Sequence, residues 1–335
     1  MKYTEIIKEV NKKVFRPVYF LYGEEPYFID LVTDHLADNI LEPAEREFNQ
    51  TMIYGRDANM SELVSTLKCF PMMSNYQVII LKEAQAVDDK SYALLSSYLA
   101  NPQPSSILVV AYKKKVGKKV ENIFAKYPAN VVMFDSPKIS DDKLPDWVMG
   151  YLAEHNITCS PKIAQIISGF LGNDLSKIVN ELSKLMINVP AGSALTMDDV
   201  EANIGISKKF NVFEFQTAVV NRDKTKALEI AAFFSANTRD VSIFAIIPIL
   251  YAFFEKLFIY LQLINSKSPE AVAAEMNVKT YFMSNYARAA KHYNMKQILD
   301  IFKIMRSYDL KAKGVDSSSS EGELIREMTY KILHV

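Results

Sequence analysis

The segment Leu21-Tyr22-Gly23-Glu24-Glu25-Pro26-Tyr27-Phe28-Ile29-Asp30 stands where a phosphate-binding loop would join a first strand to its helix. Such a loop needs a second glycine, a lysine for the phosphates and a hydroxyl for magnesium. Counted from Gly23, those three positions hold Phe28, Ile29 and Asp30. Glu24 and Glu25 add negative charge where phosphate would lie. ATP binding is therefore not expected, and a strand-to-helix turn with acidic residues at the positive end of the helix accounts for each residue. His35, His155, His292 and His334 are scattered, and none shares a helix face with a second ligand at metal spacing. No GxSxG elbow is present, and neither Cys69 nor Cys159 has a general base nearby in sequence. The sequence predicts no catalytic residue, no metal and no cofactor.

Two other stretches are chemically unusual. Lys113-Lys114-Lys115-Val116-Gly117-Lys118-Lys119 follows the fourth strand candidate and concentrates positive charge in a chain whose 39 basic residues balance 39 acidic ones. A solvated loop leading into a helix explains the run, and salt-dependent contact with DNA phosphates is the alternative. The second is Cys69-Phe70-Pro71-Met72-Met73-Ser74-Asn75. Pro71 ends a helix, and apolar side chains then fall where a loop is usually polar. Methionines are flexible and polarizable, suited to a pocket on a partner. They could equally tuck under this protein's own sheet, and the residues alone leave both readings open.

The elements that must position these stretches divide the chain. Before residue 136, short β-branched or aromatic runs alternate with longer periodic segments, the signature of a parallel α/β sheet. The runs are 17–22, 48–54, 76–81, 106–112 and 131–134, with helices expected near 24–41, 58–68, 88–100 and 115–127. VYFLY, VIIL and ILVVAY are apolar at every position, as central strands covered on both faces should be. After Ser136-Pro137-Lys138 the strand signals vanish. Gly172-Asn173-Asp174 gives a helix stop and a new cap, with Lys177 and Glu181 one turn apart on the polar face beyond it. Gly205-Ile206-Ser207-Lys208-Lys209 is a second linker candidate. The segment 242–263 is expected to be the most buried helix of the bundle that follows.

With 335 residues, 49% hydrophobic and 23% charged, the chain has material for two or three domains and no compositional bias toward disorder. A net charge of zero removes the global basic excess of many nucleic-acid binders, so any such contact is local. Only 10 glycines occur, which disfavours glycine-loop nucleotide chemistry. Two widely spaced cysteines support neither a disulfide framework nor a zinc site. Glu5 and Glu9 interrupt the apolar core that an export signal requires, so a cytoplasmic location is expected. The apolar run 244–254, closed by Glu255 and Lys256, is too short to cross a bilayer and is read as a core helix.

Four stretches in order, VYFLYGEEPYFID at 18–30, FPMMSNYQVIIL at 70–81, GNDLSKIVNELSKL at 172–185 and YDLKAKG at 308–314, resemble the delta subunit of the bacterial DNA polymerase III clamp loader. The resemblance implies an AAA+-like α/β domain with a degenerate P-loop over 1–137, a small helical lid over 138–207 and a helical collar that joins other subunits over 208–335. It implies a non-catalytic subunit, without ATPase activity of its own, that works within a polymerase holoenzyme. It also implies that Met72 and Met73, flanked by Phe70 and Pro71, enter a pocket on the sliding clamp and favour its opening for loading onto primed DNA. The family commonly has leucine then phenylalanine at that pair. The competing readings are an atypical NTPase and a cytosolic scaffold whose methionine loop is core.

Overall fold

The three runs that are apolar throughout form the centre of a five-stranded parallel sheet in the computed structural model, which describes residues 1–207, 210–239, 241–278 and 280–335. The strands are β1 (Val18–Tyr22), β2 (Gln50–Tyr54), β3 (Gln77–Lys82), β4 (Ser106–Tyr112) and β5 (Val131–Asp135), in the order β2-β3-β4-β1-β5. Val18 is in register with Leu108 on one side and Val131 on the other, and Gln77 with Ser106. Consecutive side chains point to opposite faces. Val18, Phe20, Ile79, Leu81, Leu108 and Val110 therefore enter one core, and Tyr19, Leu21, Val78, Ile80, Ile107 and Val109 the other. This two-sided burial is why those strands show no polar alternation. β2, at the edge, is mostly exposed.

Helices α1 (Tyr3–Asn11) and α2 (Pro26–Asn39) cover one face through Ile6, Val10, Ile29, Val32 and Leu36. Helix α3 (Pro43–Asn49) precedes β2. The opposite face is covered by α4 (Met60–Leu67), α5 (Ser96–Ala100) and α6 (Lys118–Ala125). Two expectations need correction. The helix expected over 88–100 begins as a 3-10 turn, Ser91–Leu95. Tyr92, Leu95 and Tyr98, three residues apart, are all buried there, and the Tyr92 hydroxyl donates to the Ala84 carbonyl at 2.6 Å. Phe48 and Asn49 are the last turn of α3 and not the start of a strand. The α3 helix begins at Pro43 with a capping box between Glu42 and Glu45, and that start outweighs the β preference of Phe48.

Contacts divide the chain into two compact units, Met1–Val148 with Leu171–Asn180, and Met149–Phe170 with Glu181–Val335. The second unit is helical, with one isolated parallel bridge, Thr158 to Ala194, among its described residues. Thr196 caps the helix Met197–Ile204, which stops at Gly205. The linker candidate that follows includes Lys208 and Lys209, which lie outside the described residues. Glu181 pairs with Lys184 at 2.8 Å and not with Lys177, because residues three and four apart are both within reach on a helix.

The apolar run at 244–254 belongs to a longer helix, Ile243–Leu263, which by length and composition is enough to cross a membrane. One stripe of it, Ile243, Ile246, Leu250, Phe254, Leu257 and Tyr260, is core. The expectation that it is the most buried helix fails: only 33% of its apolar window is buried, and Phe244 and Tyr251 lie on the exposed face. Leu299 of the helix Met295–Ala312 is also exposed, and Tyr251 touches Phe302 of that helix at 5.0 Å between ring centres.

Phe124 stacks on Phe20 with ring centres 4.0 Å apart, and both are fully buried beneath β1. Phe124→Ala should cost about 3–5 kcal/mol of folding free energy. Chemical denaturation checks this; a loss under about 1 kcal/mol would show that the ring does not support the sheet.

Candidate functional site

The methionine loop joins the end of α4 to β3, and two buried amides fasten it. Gln77, 8% exposed, donates from Nε2 to the carbonyls of Thr66 at 3.1 Å and Cys69 at 2.6 Å, and to Ser106 Oγ at 2.7 Å. The amide thereby ties the last turn of α4 and the chain just beyond it to the first residue of β4. Asn49, 5% exposed, accepts the Met72 N–H at 2.6 Å and donates to the Met72 carbonyl at 2.9 Å. Between these anchors the apolar side chains face water: Phe70 is 79% exposed, Met72 63%, and Met73 fully so. Pro71 is half-buried. Met73 adopts a φ of 50°, a left-handed conformation unusual for a side-chain-bearing residue. The reading in which the methionines tuck under this chain's own sheet does not hold.

The loop after β1 is filled by the chain itself. Gly23, at φ 137°, donates its N–H to the carbonyls of Tyr112 and Lys114, both at 3.2 Å. Glu25 donates its N–H to the Ser136 carbonyl at 3.0 Å and receives the Ser136 hydroxyl on its own carbonyl at 2.7 Å. Its carboxylate accepts the Tyr27 N–H at the start of α2, and burial pushes its pKa up. These two amides are turned inward, so they are not free to cradle an anion. A Cβ on Gly23 would lie 2.2 Å from the Ser136 carbonyl oxygen, which fixes glycine there. Phe28 stacks on Tyr3 at 4.8 Å, and Ile29 is fully buried.

Asp30 has a cation of its own. Lys113 Nζ lies 2.8 Å from Asp30 Oδ1 and 2.9 Å from Glu83 Oε1, tying the start of α2 to the ends of β3 and β4. Burial pulls the Lys113 pKa down, but the hydrogen bonds to the two carboxylates outweigh it and the net shift is upward. Glu83 is held below the usual carboxylate range, chiefly by the hydrogen bond from Lys113. The structure thus separates the lysine run. Lys113 is turned inward, whereas Lys114, Lys115, Lys118 and Lys119 are exposed. Lys118 and Lys119 stand in the first turn of α6, where the helix dipole disfavours positive charge, with Glu121 beside them. Asn49, Gln77 and Glu83 were not singled out in the sequence. A lone amide or carboxylate whose partners are distant in the chain leaves no periodic signal there. Among the described residues, no group of three or more His, Cys, Asp or Glu side chains is placed to hold a metal ion.

Residues 19–135, which contain both loops, match the family model described as DNA polymerase III, delta subunit. Over that region the chain is similar to the DNA polymerase III delta subunit. The DNA polymerase III subunit delta of Bacillus subtilis (strain 168) is 22% identical over 237 residues, covering 68% of this chain and 67% of that protein. The solved Bacillus subtilis DNA clamp loader delta protein aligns with 99% of this chain and 100% of its own, at 18% identity and a TM-score of 0.55. The parallel α/β sheet followed by helices that the sequence leads one to expect is the fold observed, and it is the fold shared with that clamp loader delta protein.

This geometry has two testable outcomes. Calorimetric titration with magnesium-ATP should give no binding heat, because Phe28, Ile29 and Asp30 replace the groups a P-loop needs; micromolar affinity abolished by changing the Gly23 loop would contradict this. Lys113→Met should be less stable than wild type at pH 7. Glu83 has its pKa lowered in the fold, so its contribution is present above its ordinary value of 4.5 and is lost as pH falls through the depressed one. Stability curves of the two proteins should therefore converge as pH falls below about 4.5; parallel curves would show that the ion pairs contribute nothing.

Proposed function

We propose that this chain is the clamp-opening subunit of a clamp loader, a non-catalytic component that binds the DNA sliding clamp and favours its opened form for loading onto primed DNA. The carrying observation is the loop 70–73, whose apolar side chains are held in water by buried amides inside the region that matches the delta family. A ligand that binds the opened ring better than the closed one shifts the equilibrium by that difference in affinity. The inward-turned amides at Gly23 and Glu25 support a role without nucleotide, with ATP acting on other subunits.

In the same reading, residues 1–137 engage the clamp, 138–207 form a lid and 208–335 a collar that joins the other loader subunits. The exposed side chains Phe244, Tyr251 and Leu299 support the collar, since apolar surface of this kind is what a partner helix covers. Lys114, Lys115, Lys118 and Lys119 are proposed to face DNA in the assembled complex, which would act in the cytoplasm. Lys113, held by Asp30 and Glu83, contributes little to such a surface.

Met72→Ala with Met73→Ala should leave the melting temperature unchanged. A methionine fully buried in a partner pocket contributes roughly 1.5–3 kcal/mol. Losing most of both should cost about 3–4 kcal/mol, on the order of a hundred- to thousandfold in clamp affinity. Wild-type clamp binding by the double variant would sink the proposal. Tyr251→Asp with Leu299→Asp should block assembly with the other loader subunits while clamp binding persists, as read by size-exclusion chromatography of the mixed subunits. Normal assembly would reject the collar assignment for this face.

A further inference from the structure

An exposed loop that must dock apolar side chains loses conformational freedom when it binds, and fixing it beforehand strengthens the complex. The loop 68–76 is fixed from beneath. The Asn49 carboxamide acts as a one-residue neighbouring strand: Oδ1 accepts the Met72 N–H at 2.6 Å, and Nδ2 donates to the Met72 carbonyl at 2.9 Å. Nδ2 also donates to the Glu45 carbonyl at 3.1 Å, so α3 sets the rotation of the amide plane. With Asn49 95% buried, water competes poorly for these bonds.

Asparagine suits the task for reasons of chemistry. Aspartate would put an acceptor against the carbonyls of Met72 and Glu45, serine is too short to pair twice, and glutamine is one methylene too long. The pairing also lies immediately before Met73, whose left-handed backbone persists only where its surroundings over-determine it. Both methionines are thereby presented outward from a single backbone geometry.

We propose that Asn49 is a positioning residue for partner docking, presetting the Met72-Met73 turn so that its ordering occurs on folding and not on binding. This rests on the clamp-binding reading above. The test is equilibrium binding of the full chain to immobilised sliding clamp from the source organism, well below each variant's melting temperature. Clamp concentration is raised until the weakest variant's residual binding is measurable. Asn49→Ala should weaken binding about tenfold, the equivalent of one to two net hydrogen bonds. Asn49→Asp, which keeps the volume, should weaken it similarly and serves if alanine unsettles the core. Asn49→Ala added to Met72→Ala with Met73→Ala should cause no further loss, since Asn49 acts only through the loop.

Wild-type affinity in both Asn49 variants, alongside lost binding in the double-methionine variant, would overturn the positioning role and leave the clamp reading standing. An undiminished Asn49→Ala effect in the double-methionine background would also overturn it, because Asn49 would then act elsewhere. Unchanged binding of the double-methionine variant would overturn the clamp reading and the positioning role together.

Discussion

A parallel sheet buried on both faces has no free face for chemistry, so its function falls to the loops at the strand ends. In this chain the central strands β1, β3 and β4 are buried almost throughout. Two loops grow from that frame, and internal polar groups decide the character of each. After β1, the amides of Gly23 and Glu25 are turned inward and spent on the chain's own carbonyls. Before β3, Asn49 and Gln77 hold the backbone while the side chains stay outside. One loop is closed by its own backbone, and the other leaves its apolar side chains in water.

The charges follow the same division. At the position where a phosphate-binding loop would carry its magnesium hydroxyl, Asp30 meets the Lys113 ammonium, which Glu83 shares. This internal cation ties three elements of the sheet domain together. The cost of partly burying Lys113 is offset by two carboxylates, consistent with its net upward shift. Four exposed lysines remain just beyond it, outside this network.

Much of this was legible in sequence for identifiable reasons. All five strands fall within or next to runs marked by β-branched or aromatic residues, and in β1, β3 and β4 two-sided burial writes an uninterrupted apolar pattern. The degenerate loop was legible because the replacement residues at 28–30 are chemically unlike those a phosphate site needs. The inward turn of Lys113 was not, since neighbouring residues of one type in a loop can point in opposite directions. Asn49 was hidden for two reasons: Phe48 beside it suggests a strand, and its partner Met72 lies 23 residues away. The long helix Ile243–Leu263 was expected to be the most buried of its bundle because composition alone does not distinguish a face covered within the chain from one left exposed.

The central claim is that the loop between α4 and β3 is the docking element. Hydrogen–deuterium exchange of the full chain, with and without saturating sliding clamp, tests it most directly. The account predicts that clamp slows exchange of residues 68–76 and of the adjoining end of α3. Complex formation with exchange in 68–76 unchanged, and slowing confined to other surfaces, would contradict it.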